Sequence, residues 1–309
     1  MQHRLTLLFL FVTLFSCTAQ NKHERLIRQL AENLQRNYVF EEAAKEMHDE
    51  LIENWQNGRY DSLDPGKSLA ELLESDLRRI VNDKHLAVRY GAPNTSGTGQ
   101  FNGRDIKKWP NGMGEVQILE GNIGYWELTG FENSNSQYRR LVASNMAMLA
   151  NTQAIILDLR NNGGGSPAGV QLVSTYFFPV GEKIHLNTLY FRNTDNSNDF
   201  YTLGNVEGDP MPDTPLYILT SDYTFSAGEE FCYNLKHLGR ATVVGETTGG
   251  GAHPVETHYL PNGMRVVIPS GRAINPITGT NWEGVGVVPH YEVSEEDALP
   301  KVLDLISEK

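Results

Sequence analysis

The sequence predicts an α/β layer fold preceded by a small bundle of helices. An amphipathic helical pattern runs from Glu24 to Asn82. From Val116 onward, short apolar runs alternate with helical patterns, which is typical of a sheet covered by helices. Glycine-rich segments follow two of the apolar runs, which indicates loops whose backbone can approach a ligand closely.

Residues 1–20 have the pattern of a secretory signal. A basic start, Met1-Gln2-His3-Arg4, precedes an apolar stretch that is too short to span a bilayer comfortably. Leu14-Phe15-Ser16-Cys17 resembles a bacterial lipoprotein signal, which would anchor the protein to the membrane through a lipidated Cys17. Ordinary cleavage near Ala19-Gln20 is the alternative. Both interpretations predict export across the inner membrane, so that the protein is either periplasmic or lipid-anchored in the bacterial envelope.

Residues 21–90 are predicted to form an N-terminal helical domain of three helices. Their apolar faces are Leu26, Ile27, Leu30 and Leu34, then Ala43, Ala44, Met47, Leu51 and Ile52, and finally Leu69, Leu72, Leu73, Leu77 and Ile80. Ser68-Leu69-Ala70-Glu71 predicts a capping box at the start of the third helix. Residues 91–115 are a predicted linker, rich in Gly, Asn, Ser and Thr.

Residues 116–309 are the predicted second domain. Strands are predicted at Val116–Leu119, Ile123–Trp126, Ala154–Leu157, Leu216–Thr220, Ala241–Val244 and Met264–Ile268. Helices are predicted at Tyr138–Leu149 and Val170–Phe178, and another ends near Gly239. The segment Asn193–Phe200 is predicted to be a polar loop.

Composition excludes several classes of partner. The formal net charge of −12, with no basic stripe, argues against nucleic acid and against an anionic membrane surface as main partners.

The chain has 2 cysteines, Cys17 and Cys232, and Cys232 is predicted to be a buried small hydrophobe. Two such residues build neither a disulfide framework nor a zinc site. We predict no metal and no cofactor.

The segment Thr224-Phe225-Ser226-Ala227-Gly228-Glu229-Glu230 has the strongest functional signal. A serine between a buried strand and a helix can expose its hydroxyl beside free amides of the first helical turn, as a nucleophile with an oxyanion site requires. The same residues also match a capping box, in which the Ser226 hydroxyl only accepts a hydrogen bond from a backbone N–H at the start of the helix. The local sequence leaves both interpretations open.

Two glycine-rich loops follow strands. Asn161-Asn162-Gly163-Gly164-Gly165 could bind an oxyanion or phosphate through its amides, or could be a plain tight turn. It matches neither a Walker loop nor a dinucleotide fingerprint. Gly245–Ala252 is the second loop, and His253 and His258 beyond it lack the spacing of a metal pair on one helical face. His253 is therefore predicted to be a pocket or loop residue.

Six segments in order resemble one family, and they cover nearly the whole chain after residue 20. They are Asp83–Leu86, Gly121–Tyr125, Asp158–Gly165, Thr220–Glu230, Gly239–Glu246 and Asn281–Pro289. The family is that of the serine peptidases that include the C-terminal (tail-specific) processing proteases and the tricorn protease core. The branch is similar to interphotoreceptor retinoid-binding protein. The resemblance implies a ClpP/crotonase-like ββα core without an inserted PDZ domain.

The resemblance also implies residue roles. Ser226 would be the nucleophile, with an oxyanion hole from the amides of Ala227 and of Gly163 or Gly164. Relatives with a Ser/Lys dyad carry the lysine where this chain has Gly251, so a lysine base is not expected.

The tricorn-like alternative uses a histidine and a glutamate. These map to His85 as general base and to Glu283 as orienting acid, acting directly or through another group. Lys84 stands where the tricorn core has a serine.

Two functions from different classes follow. The first is a serine endopeptidase acting on peptides or unfolded proteins. The second is a non-catalytic binder of retinoid-like or fatty-acid-like ligands on the same scaffold. The joint presence of Ser226, His85 and Glu283 favours catalysis. A structural envelope lipoprotein with a vestigial site is a third, weaker hypothesis.

Overall fold

The computed structural model describes residues 22–92 and 109–308. The predicted signal, Cys17 and most of the predicted linker lie outside these ranges. In the described ranges, no helix combines the length and hydropathy of a membrane span.

Three helices open the described chain: α1 (Glu24–Asn37), α2 (Glu41–Gln56) and α3 (Lys67–Arg78). Their buried faces include most of the predicted apolar positions, because a 3.6-residue period places these side chains on one side. The capping box predicted at Ser68 is wrong. The chain turns at Gly66, which is the N-cap, so Ser68 already lies in the first helical turn.

The helices share one core with a small antiparallel sheet. This sheet has the order β1 (Ala87–Tyr90), β10 (Met264–Pro269), β9 (Val255–Tyr259). Val266 and Ile268 are buried in the same cluster as the leucines of α1 and α3. Residues distant in sequence therefore complete the core of the N-terminal helices.

A six-stranded sheet forms the centre of the molecule. Its strands are β2 (Met113–Leu119), β3 (Ile123–Leu128), β4 (Ala154–Asp158), β7 (Leu216–Thr220), β8 (Ala241–Gly245) and β12 (Tyr291–Glu292). The order is β12-β8-β7-β4-β3-β2, and only β2 pairs antiparallel. β4 and β7 are buried on both faces, which explains why they appear in the sequence as continuous apolar runs.

Helices cover both faces of this sheet. α4 (Ser136–Leu149), α5 (Pro167–Thr175) and α6 (Ala227–His237) pack in one cluster with Ile155 and Leu157. α7 (Glu295–Ser307) packs on the opposite face, in a cluster that includes Ile156. The alternation of side chains along β4 places neighbouring residues in different layers. The predicted α/β layer fold is confirmed, and no PDZ domain is evident in the described ranges.

A third sheet has the order β11 (Gly271–Ile274), β5 (His185–Phe191), β6 (Asn196–Tyr201). The polar loop predicted at Asn193–Phe200 is wrong, because most of it is β6, paired antiparallel with β5. The first four residues of β6 are exposed, so the strand lacks the apolar alternation by which strands are recognised in a sequence.

Candidate active site

Ser226 lies where the chain leaves β7 and enters α6. Its backbone has φ 55° and ψ −119°, a combination that residues with a side chain rarely adopt. Strained residues of this kind concentrate at functional sites, and a serine on a sharp strand-to-helix turn presents its hydroxyl outward. The predicted capping box is also present, and the Ser226 N–H donates to Glu229 Oε2 at 2.9 Å.

The Glu229 carboxylate joins the serine to the second glycine loop. It accepts from Thr248 Oγ1 at 2.5 Å, from the Gly250 N–H at 2.6 Å and from the Gly251 N–H at 2.8 Å. Burial raises the pKa of Glu229 to about 7, although these hydrogen bonds and that from Ser226 oppose the shift. The sequence identified Glu229 only as a capping residue.

The first glycine loop packs directly against Ser226. A Cβ on Gly164, at φ +109°, would lie 2.7 Å from the Ser226 Cβ, so only glycine fits there. Asn162 fixes this approach. Its side chain donates to the Leu128 carbonyl at 2.8 Å and accepts from the Gly164 N–H at 2.9 Å, and its carbonyl accepts from the Phe225 N–H at 2.9 Å.

The predicted oxyanion donors differ in their availability. The Ala227 N–H, at the start of α6, makes no hydrogen bond within the described ranges. The Gly164 N–H donates to Asn162 Oδ1, and the Gly163 N–H makes no hydrogen bond to any described residue, but Gly163 is not among the residues that line the cavity beside Ser226. Gly165 lines the cavity beside Ser226, and its N–H makes no hydrogen bond to any described residue. Among the described residues that line the cavity, Ala227 and Gly165 therefore carry backbone N–H groups without a hydrogen-bond partner beside Ser226.

Ser226 and His85 line one cavity of about 210 Å³. His85 comes from the segment between α3 and β1, and its ring lies against Phe225 with the ring centroids 4.6 Å apart. No hydrogen bond joins the His85 and Ser226 side chains in this structure. Such bonds are often long in enzymes without substrate. The structure thus brings the predicted nucleophile and base to the same cavity.

The His85 ring is held in its neutral form. Its Nδ1 is buried and has no hydrogen-bond partner in the described ranges. Burial lowers the pKa of His85 to about 4, although the nearby Asp83 charge raises it. A neutral imidazole can accept a proton, so His85 is in the form that a general base requires at neutral pH.

The His85 ring leaves no room for a side chain at position 251, where relatives with a Ser/Lys dyad carry the lysine. A Cβ at position 251 would lie 2.7 Å from His85 Cε1 and would also collide with the Phe225 ring. A side chain at 251 and the His85 ring therefore compete for the same space. Lys84 does not approach as a substitute, since its Nζ donates to the Gly249 carbonyl at 2.5 Å.

Glu283 contacts His253 and does not contact His85. Its Oε2 lies 3.5 Å from His253 Nδ1 and accepts from the Ala252 N–H at 2.6 Å. His253 Nδ1 lies 2.7 Å from Asp83 Oδ2, and Asp83 Oδ1 accepts from the His85 backbone N–H at 3.0 Å. Glu283 is thus connected to His85 through His253 and Asp83, which the sequence did not identify as site residues.

Burial and charge set the ionisation of this cluster. Burial raises the pKa of Glu283, and the Asp83 charge adds to the increase. The pKa of Asp83 is lowered in spite of its burial, because His253 and the His85 amide stabilise the carboxylate. Asp83, His253 and Glu283 also offer ligand atoms within 4.8 Å of one another, so they are the residues that could hold a cation.

Comparisons with known proteins match two parts of this chain to family models. Residues 122–293 match peptidase family S41, and residues 17–115 match the N-terminal domain of this family in eukaryotic IRBP. The first match contains Ser226, both glycine loops and Glu283, and the second contains His85. The resemblance predicted from the six segments is confirmed.

Individual relatives cover parts of the chain. A carboxyl-terminal-processing protease of Picosynechococcus sp. is 26% identical over 175 residues, 56% of this chain and 40% of the relative. The tricorn protease of Thermoplasma volcanium is 29% identical over 199 residues, 60% of this chain and 17% of that protein. The chain thus spans less than half the length of these relatives.

The fold has a solved counterpart along nearly its full length. The crystal structure of a putative peptidase from Parabacteroides merdae superposes with a TM-score of 0.64 at 21% identity, and covers 93% of this chain and 96% of that one. Since the family match extends over residues 122–293 of 309, more than half of the sequence, the chain belongs to peptidase family S41.

Proposed function

We propose that this chain is a serine-type peptidase that hydrolyses peptides or unfolded proteins through an acyl-enzyme on Ser226. One observation carries the proposal. Ser226, in a strained backbone conformation at the start of α6, shares a cavity with a neutral His85 and with the unpaired amides of Ala227 and Gly165. A nucleophile, a base and two oxyanion donors at one place are what acyl transfer needs.

The reaction follows from this arrangement. The Ser226 hydroxyl attacks the scissile carbonyl and passes its proton to His85. The amides of Ala227 and Gly165 stabilise the oxyanion of the tetrahedral intermediate, and His85 returns the proton to the leaving amine. Water then hydrolyses the acyl-enzyme by the same steps. Glu283 acts as an orienting acid through His253 and Asp83, which hold the segment that carries His85.

The scaffold offers less support for a retinoid-like ligand. The cavity of about 210 Å³ is smaller than the roughly 300–1,000 Å³ of typical small-molecule sites. Its lining includes His85, Glu230 and His253, so a fully apolar molecule would leave three ionisable groups without a polar partner in the cavity.

A fluorophosphonate probe tests the proposal. We expect it to label the wild type, to fail on Ser226→Ala, and to label His85→Ala at least about 100-fold more slowly. Ser294→Ala is the matched control, because Ser294 caps α7 and lies in a different layer. A cap substitution costs about 1 kcal/mol of stability and leaves chemistry intact.

Two results would contradict the proposal. One is a folded wild type that resists the probe while it binds a retinoid or a fatty acid, which would favour the non-catalytic hypothesis. The other is a His85→Ala variant labelled at the wild-type rate, which would remove His85 from the mechanism.

We also propose an envelope location, on the signal-like pattern of residues 1–20. Globomycin, an inhibitor of lipoprotein signal cleavage, should cause a precursor to accumulate if Cys17 is lipidated. Unchanged processing would favour cleavage near Ala19-Gln20.

A further inference from the structure

Glu230 is the one acidic residue among the described residues that line the cavity beside Ser226. Glu230 lies one helical turn beyond the nucleophile, and its N–H donates to the Ser226 carbonyl at 2.9 Å. The walls around it are mostly apolar and include Leu189, Ala273 and Trp282. An acid that faces an apolar pocket next to the reacting serine needs a physical explanation.

No cation of the described residues compensates Glu230. It takes part in no ion pair, and only two neutral amides, those of Asn187 and Asn234, favour its charge. Neither amide group completes a hydrogen bond of ordinary geometry, because Asn187 Nδ2 and Asn234 Nδ2 are both buried without such a partner. Glu230, Asn187 and Asn234 therefore form a buried polar cluster in which no positive charge of the described residues takes part.

Burial makes the charged form of this acid costly. Glu230 is only 5% exposed, and desolvation raises its pKa to about 7 although the two amides oppose the shift. A positive group beside a buried carboxylate stabilises its charged form. No described residue supplies such a group to Glu230, so a cationic ligand that enters the cavity would supply it.

We propose that this cavity binds the substrate side chain on the acyl side of the scissile bond and that Glu230 selects a basic residue, lysine or arginine. The aliphatic stem of such a side chain would pack against Leu189 and Ala273, and its charged end would meet Glu230. The proposal rests on Ser226 being the nucleophile, since that places the cavity beside the acyl group.

Two aryl phosphonate probes with identical leaving groups test the pocket. One carries a lysine-like side chain and the other norleucine, which has the same stem length without the charge. In the wild type we expect the lysine probe to react on the order of 100-fold faster with Ser226. In Glu230→Gln this ratio should fall to within a few-fold of one.

Glu296→Gln is the matched control, because it removes one negative charge at an exposed position of α7. Its ratio should equal that of the wild type. The ratio is taken within each variant, so a general loss of activity or of folded protein cancels. Equal rates of the two probes in the wild type, or an unchanged ratio in Glu230→Gln, would overturn the proposal.

An equilibrium measurement separates this proposal from the peptidase assignment. Benzamidine and benzamide have similar shapes and differ in charge, and their affinities need no catalysis. We expect benzamidine to bind the wild type at least about 10-fold more tightly, with the preference lost in Glu230→Gln. Equal affinities alongside normal fluorophosphonate labelling would reject the basic pocket and retain the serine peptidase. The charge preference without labelling would retain the pocket and reject the nucleophile.

Discussion

His85 contacts the site through its ring and its backbone, and the two contacts have different effects. A tilted ring contact with Phe225 positions the ring, and the Asp83 carboxylate accepts from the backbone N–H. Nδ1 has no acceptor in the described ranges, so the fixed Nδ1–H···carboxylate bond of a conventional triad is missing here. Burial of the ring therefore determines its protonation.

This environment predicts an unusual pH profile. With its pKa lowered to about 4, His85 keeps the neutral form of a base as the pH falls through 6.5, where an ordinary histidine becomes protonated. We expect the fluorophosphonate labelling rate to stay above half of its pH 7.5 value at pH 5.5, and to fall only at lower pH.

Rates of labelling between pH 4 and 8 would measure this, with circular dichroism as the control for folding at each pH. A labelling midpoint near 6.5 in a folded protein would contradict this expectation, and its source would be either a more solvated His85 or the neighbouring Glu229 and Glu230, whose pKa values are raised to about 7.

Two loops at the same sheet edge form the site of the proposed nucleophile. β4 and β7 are adjacent and parallel, so the loops that follow them emerge together. Side chains then connect the loops, since Ser221 Oγ donates to the Arg160 carbonyl at 2.6 Å and Thr224 Oγ1 donates to the Leu159 carbonyl at 2.8 Å. Asn162 adds the contacts to β3 and to Gly164.

Asn162→Ala should loosen this connection. It removes a donor to the Leu128 carbonyl and an acceptor for the Gly164 N–H at a fully buried position. We expect a loss of about 2–4 kcal/mol in the free energy of unfolding, because two buried backbone groups lose their partners. Labelling of Ser226 should slow by at least about 10-fold in the fraction that remains folded. Urea denaturation and labelling rates measure the two effects.

Asn196→Ala, at the exposed start of β6, is the control. It should change the free energy of unfolding by no more than about 0.5 kcal/mol and leave the labelling rate unchanged. Normal labelling of a destabilised Asn162→Ala variant would show that the glycine loop keeps its position without the asparagine.

Part of the fold and of the candidate site could be predicted from local patterns in the sequence. The continuous apolar runs of β4 and β7, and the glycines beside Ser226, are visible in the sequence because burial and close backbone approach restrict residue type locally. The contact of Asp83 with His253 spans 170 residues and has no local pattern. Glu229 was visible as a cap, but its bonds to Gly250 and Gly251 depend on tertiary packing.

At the scale of the whole molecule, contacts between the N-terminal helices and later segments of the chain stabilise the fold. α1 and β10 share a core, and Arg192, between β5 and β6, donates to the Tyr38 carbonyl at 2.7 Å and to the Gln35 carbonyl at 2.8 Å at the end of α1. These contacts join the N-terminal helices to segments beyond residue 185. The helices and the central sheet are therefore expected to unfold together, whatever domain boundary is drawn between them.

Leu30→Ala tests this cooperativity. Leu30 is fully buried in α1, and its truncation should cost about 2–5 kcal/mol. If unfolding is cooperative, amide hydrogen exchange in β4 should accelerate by the same factor as exchange in α1. Leu157→Ala, in β4, is the reciprocal variant and should accelerate exchange in α1 equally. Exchange that rises in one half alone would instead show two independently stable units.

The shared core of α1, β1 and β10 also affects the order of events during synthesis. His85 leaves the ribosome early, but the strand that supports its neighbour β1 is β10, at Met264–Pro269, and Glu283 comes later still. A ribosome must translate beyond residue 283 before the proposed base, nucleophile and orienting acid can meet. On the proposed assignment, a nascent chain therefore lacks a complete hydrolytic site during most of its translation.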